Sequence, residues 1–205
     1  AAQSIGVAEA AFRVARRYAH SRKQFGVAIE KLPAVAEMLC EMHIAIEAAR
    51  ALTYEASRLA DFENITGRIL EFNPPKNPDE LKKRKSDART LKRLNGMLTP
   101  MCKYYASEMC VRVANDAIQV LGGSGYMKDY PVERLLRDAR ITTIYEGTSQ
   151  LQVVAAVRGV CSGAFERQVD ELERREYTDG LLNELKGRLA EGKACIGATL
   201  TMNSP

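Results

Sequence analysis

What this 205-residue chain lacks narrows the field first. It has no apolar run long enough to cross a membrane as a helix, and no charged-then-apolar leader at its start. Its five cysteines, Cys40, Cys102, Cys110, Cys161 and Cys195, are odd in number and contain no Cys-x-x-Cys pair. Neither a disulfide framework nor a metal site is signalled, and a reducing compartment is the simpler expectation. The glycine-rich stretch Gly122-Gly123-Ser124-Gly125 lacks the Gly-x-Gly-x-x-Gly spacing and follows a helical pattern, which argues against a strand-turn-helix dinucleotide site. Net charge is a mild +4, and the run Lys82, Lys83, Arg84, Lys85 reads as a solvated helix face, so no nucleic-acid partner is expected. Clusters of β-forming residues are scarce, and no internal repeat or low-complexity tract is apparent.

What is present is helical periodicity. An apolar content of 46% supports a core, and the apolar residues recur every three or four positions. A first helix is predicted over about residues 2–20, with Ile5, Ala8, Phe12, Ala15 and Ala19 on one stripe and no N-terminal cap. Gly26 and Pro33 bracket a connection. A second helix over about 34–61 carries Met38, Met42, Ala45, Ala49, Leu52, Ala56 and Leu59 on one face, methionines that read as core packing. Residues 62–79, with Gly67 and the proline-dense segment Asn73-Pro74-Pro75-Lys76-Asn77-Pro78, read as a surface connection or insertion. Asn77 followed by Pro78, Asp79 and Glu80 has the cap, first-turn proline and acidic first turn of a new helix. Thr99-Pro100 repeats that signal, leaving one kinked helix or two over 79–121, with Gly122 as C-terminal cap. Short helices follow at about 131–137 and 149–161. The expected fold is all-α, an antiparallel four-helix-bundle-like domain over 1–162 with a helical extension over 163–205, patterned at 168–175 and 179–189.

Three stretches carry candidate chemistry. The segment Ala139 to Gln152, ARITTIYEGTSQLQ, places Glu146 between Tyr145 and Gly147 on a turn, with Thr148 or Ser149 able to cap the helix that follows. On its own it fits an ordinary surface turn as well as a site for a reactive carboxylate. Gly122-Gly123 fits a Schellman-type helix end or a backbone left bare for a ligand. Arg22 and Phe25, in Arg22-Lys23-Gln24-Phe25-Gly26, fit a surface charge and a core anchor, or an anion fork with an aromatic beside it.

Taken together, RKQFG, QVLGGSGY, YPVER, RDA and YEGTSQLQ occur in the order and spacing of the acyl-CoA dehydrogenases, and the chain resembles the C-terminal helical domain of that family over roughly 160 residues. The extension and the 62–98 segment resemble its larger subgroup. The resemblance implies FAD as cofactor. It implies that Arg22, Gln24 and Phe25 meet the flavin pyrophosphate of a neighbouring subunit, that Gln119, Gly122 and Gly123 approach the ADP half, and that Thr148 and Gln150 contact flavin of their own subunit. Pro33 stands where many members have a glutamine, so the resemblance implies no flavin contact at that position.

The reaction implied is α,β-dehydrogenation of a short- or medium-chain acyl-CoA. Glu146 takes the pro-R α-proton while the β-hydrogen leaves as hydride to the flavin, and Tyr145, Glu146 and Gly147 border the substrate. A carboxylate screened from water by apolar substrate gains basicity, and hydrogen bonds to the thioester oxygen, one from the Glu146 amide, acidify the α-carbon. Implied partners are an electron-transfer flavoprotein as acceptor and further copies in a dimer of dimers, in the bacterial cytoplasm or the mitochondrial matrix. The opening AAQSIGVAEAAFRVA matches a helix interior of that family, so the expectation is a fragment that is inactive alone. An acyl-CoA oxidase and a non-catalytic oligomerisation module are the alternatives.

Overall fold

The computed structural model describes residues 1–163, 165, 166, 169 and 170. The predicted helices at 168–175 and 179–189, and Cys195, lie outside the described residues apart from 169 and 170. Among the described residues six α-helices form: α1 (Ala2–Ser21), α2 (Pro33–Phe72), α3 (Pro78–Leu121), α4 (Gly123–Tyr126), α5 (Val132–Ile141) and α6 (Ser149–Cys161). A two-stranded antiparallel hairpin, β1 (Lys23–Gln24) and β2 (Val27–Ala28), and a 3₁₀ turn at Ile29–Lys31 link α1 to α2.

The α1 stripe predicted from spacing is buried in full, with Ala8, Ala15 and Ala19 at zero exposure. Small residues at these positions let the neighbouring helices come close, and Phe12 fills the remaining gap by stacking on His43 of α2 at 5.5 Å. The α2 stripe meets it with Met42, Ala45, Ile46 and Ala49, and α3 closes the core with Ala106, Met109, Cys110, Val113, Ala114, Ala117 and Val120. Helix α3 is the axis of the domain, packing against α1, α2, α5 and α6. A second, smaller core of Leu59, Leu94 and Met97 lies further along α2 and α3, where Val160 of α6 and Phe165 pack on it.

The connection predicted over 62–79 is much shorter. Helix α2 continues through Gly67 to Phe72, because one glycine weakens a helix by only about 1 kcal/mol while the packing against α3 continues. The chain breaks only at Asn73, ahead of the proline pair. Asn77 caps α3 as predicted, its Oδ1 accepting from the amides of Asp79 at 2.8 Å and Glu80 at 3.4 Å. Residues 78–121 form one helix, with Pro100 buried inside it. The carbonyl that a proline crowds belongs to the residue four positions back, which is Gly96, where no side chain adds to the crowding. Thr99 is drawn into the helix as well, donating to Asn95 Oδ1 at 2.6 Å, and Asn95 donates to Glu63 on α2 at 2.6 Å.

Candidate functional site

Two surface depressions gather the sequence-predicted residues. The first, of about 360 Å³, lies between the hairpin and the end of α3. It is lined by Arg22 and Gln24 from one side and by Gln119, Gly122, Gly123 and Ser124 from the other. Its floor is held by Tyr18, whose hydroxyl donates to Ser124 Oγ at 3.3 Å and whose ring meets Tyr130 edge to face at 5.4 Å.

Local geometry explains the glycine at the end of α3. Gly122 has φ +60° and ψ −140°, a combination that L side chains avoid, and its N–H still donates to Gln119 O at 3.1 Å. This is not the left-handed cap of a Schellman motif, because ψ has the opposite sign. The glycine instead turns the chain straight into α4. Side chains built on Gly122 or Gly123 would point into open space, so the bare backbone faces the groove. All three side-chain polar groups of the predicted set here, the Arg22 guanidinium and the Gln24 and Gln119 amides, supply N–H donors. Among the described residues no acidic side chain lines this groove, and Arg22 is exposed and forms no ion pair.

Phe25 is the member of the set that stands apart. It sits at the hairpin tip with φ +50°, followed by Gly26 at φ +80°, and is 88% exposed. Two successive positive φ values are what a two-residue hairpin turn requires, but a bulky side chain adopts them at a cost of about 1–3 kcal/mol. The core-anchor reading of Phe25 is therefore wrong: nothing among the described residues covers it.

The second depression, about 200 Å³, lies at the start of α6 and is lined by Glu108, Arg140, Thr143, Ile144, Thr148, Ser149 and Gln150, with Val111 beneath. Beside it runs the turn that carries Glu146. Helix α5 stops because Thr142 is buried and turns its hydroxyl back to Ala139 O at 2.7 Å. The amides of Ile144 and Tyr145 then both donate to Ile141 O, at 3.0 and 3.1 Å. Glu146 follows at φ +54° and Gly147 at φ +93°, two left-handed residues that swing the chain into α6. Gln152 braces this pair, its Nε2 donating to Glu146 O at 3.1 Å and Gly147 O at 3.3 Å. Among the described residues no carbonyl accepts from the Glu146 amide. The carboxylate itself is exposed.

The expected cap by Thr148 or Ser149 does not form. Thr148 stands at the cap position without a side-chain hydrogen bond, and Ser149 turns its hydroxyl away to Glu108 on α3. A strong charged acceptor on α3 captures the hydroxyl. Tyr145 donates to Gln3 at the start of α1 at 2.5 Å, which ties the turn to a helix more than a hundred residues earlier in sequence.

Four residues in these sites were not singled out from sequence. Gln152 braces the turn, Lys103 donates to Thr142 O at 2.5 Å, Glu108 receives Ser149, and Arg140 donates to Thr143 Oγ1. Lys103 and Glu108 flank the apolar stripe of α3, a position that spacing alone reads as solvated. Burial pushes the Lys103 pKa below its ordinary value, and the carboxylates of Glu146 and Glu108 work against that shift. The five predicted residues of the first groove come together, whereas of the second predicted group only Thr148 and Gln150 line the second depression, with Tyr145, Glu146 and Gly147 on the turn just before them; the two depressions share no lining residue.

Comparison with known proteins agrees with this architecture. The family model described as acyl-CoA dehydrogenase, C-terminal domain matches residues 1–71 and 81–161. The short-chain-specific acyl-CoA dehydrogenase of Clostridium acetobutylicum is 39% identical over 152 residues, 74% of this chain and 32% of that protein. The caffeyl-CoA reductase-Etf complex subunit CarC of Acetobacterium woodii is 41% identical over 152 residues, again 74% of this chain and 32% of that protein. The solved butyryl-CoA dehydrogenase of Megasphaera elsdenii superposes with a TM-score of 0.55 at 32% identity, covering 78% of this chain and 34% of that one. The chain thus spans about a third of the length of the relatives it matches. With the family model covering both grooves and the helices that build them, the chain belongs to the acyl-CoA dehydrogenase family, in the region of its C-terminal domain.

Proposed function

We propose that this chain is the base-bearing C-terminal domain of an FAD-dependent acyl-CoA dehydrogenase that desaturates short- or medium-chain acyl-CoA between its α- and β-carbons. The observation that carries the reading is the position of Glu146: an exposed residue on a braced left-handed turn between Ile144 and Thr148, both of which line the second depression together with Gln150. In this reading residues 1–162 are the bundle and 163–205 an extension.

The residues present fit a flavin dinucleotide. The first groove offers a guanidinium, two carboxamides and bare glycine backbone with no acidic side chain, a donor set suited to a diphosphate. Arg22, Gln24, Gln119, Gly122 and Gly123 would hold that end, with Phe25 reaching from the hairpin tip. Thr148 and Gln150 would hold the flavin belonging to the second cleft. When bound, the flavin accepts the β-hydrogen as hydride.

The protein's own part is to bind, align and move one proton. Glu146 takes the α-proton onto its carboxylate, and Tyr145 and Gly147 set the walls against which the acyl chain lies. The Glu146 amide is free to donate to the thioester oxygen, which acidifies the α-carbon at the moment of proton transfer. Acyl chain excludes water from the turn, so the carboxylate becomes a stronger base once substrate is in place. Electrons would then pass to an electron-transfer flavoprotein, a reading supported by the name of the Acetobacterium woodii relative as a subunit of an Etf complex. Self-association as a dimer of dimers and a cytoplasmic or matrix location complete the proposal. No helix among the described residues is long and apolar enough to cross a membrane.

The test is anaerobic reduction of the flavin band by butyryl-CoA in the full-length protein and its Glu146→Gln variant. Bleaching in the parent with a loss of at least about a hundredfold in rate in the variant is expected, at the low end of what general-base removal costs. Undiminished bleaching in the variant refutes Glu146 as base. Absence of bound flavin, or of any response to acyl-CoA, favours the oligomerisation module, and rapid oxygen consumption by the reduced enzyme favours an oxidase.

A further inference from the structure

The far half of the α2–α3 pair is left open. From residue 60 on α2 to residue 93 on α3 no side chain is buried, although both helices continue up to the connection at 73–77. A helix draws most of its stability from packing an apolar face, and here Leu70, Leu81, Ala88 and Leu91 are only half-buried. A third element laid against the pair would complete their burial.

Helix α6 points to that element. It runs antiparallel to α3: Ser149 at its start meets Glu108, and Gly159 near its end meets Met97. Beyond α6, Phe165 packs on the core of Leu59, Leu94 and Met97, and Val169 is buried at 3% exposure. The chain therefore moves along α3 toward the N-terminus of that helix, and residues 171–205 lie outside the described residues. In the sequence, Leu172 extends the stripe that Phe165 and Val169 begin at helical spacing, and Glu166, Asp170 and Glu173 follow the stripe one position on, with Glu171 and Glu176 near them. The first half of α3 carries the opposite charge. Lys82, Lys83, Arg84, Lys85, Arg89, Lys92 and Arg93 outnumber Asp79, Glu80 and Asp87. Of these cations only Arg84 makes an ion pair among the described residues, with Glu80 at 3.5 Å.

We propose that the open half of the α2–α3 pair is a docking surface whose occupant is the chain's own segment 171–176, which continues the antiparallel course of α6 and sets its acids against the basic start of α3. At the pace set by Ser149 with Glu108 and Gly159 with Met97, Glu171 comes alongside Lys85 and Glu173 alongside Lys83. Leu172 then adds apolar surface where Leu81, Ala88 and Leu91 are half-buried. A segment tethered beside its site acts at an effective concentration of about millimolar, well above that of a second copy in solution, and this favours the chain's own segment as occupant. The inference is independent of the assignment of Glu146.

The experiment uses the full-length protein, read by amide hydrogen exchange over residues 82–93 and by disulfide formation. Deleting the chain from residue 171 onward is expected to speed exchange there about tenfold, while the core amides of residues 106–117 keep their rates. Glu171→Lys with Glu173→Lys should speed it about threefold, the scale of surface ion pairs, and adding Lys83→Glu with Lys85→Glu should restore the parent rate. Lys83→Cys with Glu173→Cys should close a disulfide within one chain, identified by peptide mass mapping of the monomer band on a non-reducing gel. Exchange unchanged by the deletion overturns the proposal, as does a charge reversal that the reciprocal reversal fails to restore. A disulfide that forms only between two chains assigns the surface to a second copy and overturns it too, and so does the absence of any disulfide. The charge-reversal and disulfide arms decide the matter if the deletion variant fails to fold.

Discussion

At the scale of single residues, the turn depends on a glycine that nothing can replace without moving a neighbour. Gly147 sits at φ +93°, and a Cβ there would come within 2.6 Å of Gln152 Nε2, the atom that braces Glu146. Gly147→Ala therefore costs backbone strain and breaks the brace. A loss of about 1–3 kcal/mol in urea unfolding is expected, together with slower flavin reduction at unchanged flavin content. An Ala variant as stable as the parent would show that Gln152 does not hold the turn. The motif made Glu146 legible in the sequence, and its flanking glycine suggested a special backbone. Gln152 was not legible, because a glutamine five residues past a glycine has no characteristic spacing: its role arises from the way α6 leaves the turn. The same holds for Ser149, where the sequence favoured a cap and an acid from α3, 41 residues earlier, captured the hydroxyl instead.

At the scale of elements, the helices themselves were readable and their lengths less so. The stripe of α1 is buried in full and those of α2 and α3 are buried apart from the half-buried Met38, Leu52 and Tyr105, because small and apolar residues at every third or fourth position have one way to leave water. The C-terminal end of α2 was misread because a local signal, Gly67, was weighed without the packing that overrides it, and the choice between one helix and two that Thr99-Pro100 left open is decided by the same packing, in favour of one. What positions α6 is equally invisible in sequence. Gly159 lets α6 approach α3 so closely that a Cβ would stand 2.6 Å from Met97 Cβ and 2.9 Å from its Cα. Backbone cannot yield as a side chain does. Gly159→Ala is expected to lower stability by about 1–3 kcal/mol, the cost of overpacking, whereas Ala155→Ser on the exposed side of α6 should leave the unfolding midpoint unchanged. Equal midpoints for the two would mean that α6 packs less tightly than the structure has it. Because Thr148 and Gln150 open the same helix, the Gly159 variant should also retain flavin poorly.

At the scale of the whole molecule, the bundle leaves apolar residues uncovered. Tyr54, Phe62, Ile65 and Phe72 on α2, Tyr126 and Met127 at the end of α4, and Leu151 and Val154 on α6 are all exposed. Leu151 and Val154 lie three apart and so share a face of α6. An exposed apolar pair of this kind fits the proposed self-association. Light scattering during gel filtration is expected to show an oligomer for the full-length protein, and Leu151→Lys with Val154→Lys to lower its mass. A parent protein that runs as a monomer, or a double variant whose mass does not fall, would remove α6 from the interface.

Phe25 belongs to the same account. The hairpin holds an aromatic side chain in a backbone conformation that costs energy and displays it to water, next to the groove that Arg22 and Gln24 line. A free subunit bears that cost alone, and a neighbour able to cover the ring relieves it. In the proposed assembly, dilution and cofactor loss are then two views of one equilibrium. Diluted protein should shed flavin more readily than concentrated protein, and added flavin should draw subunits together by the same free energy.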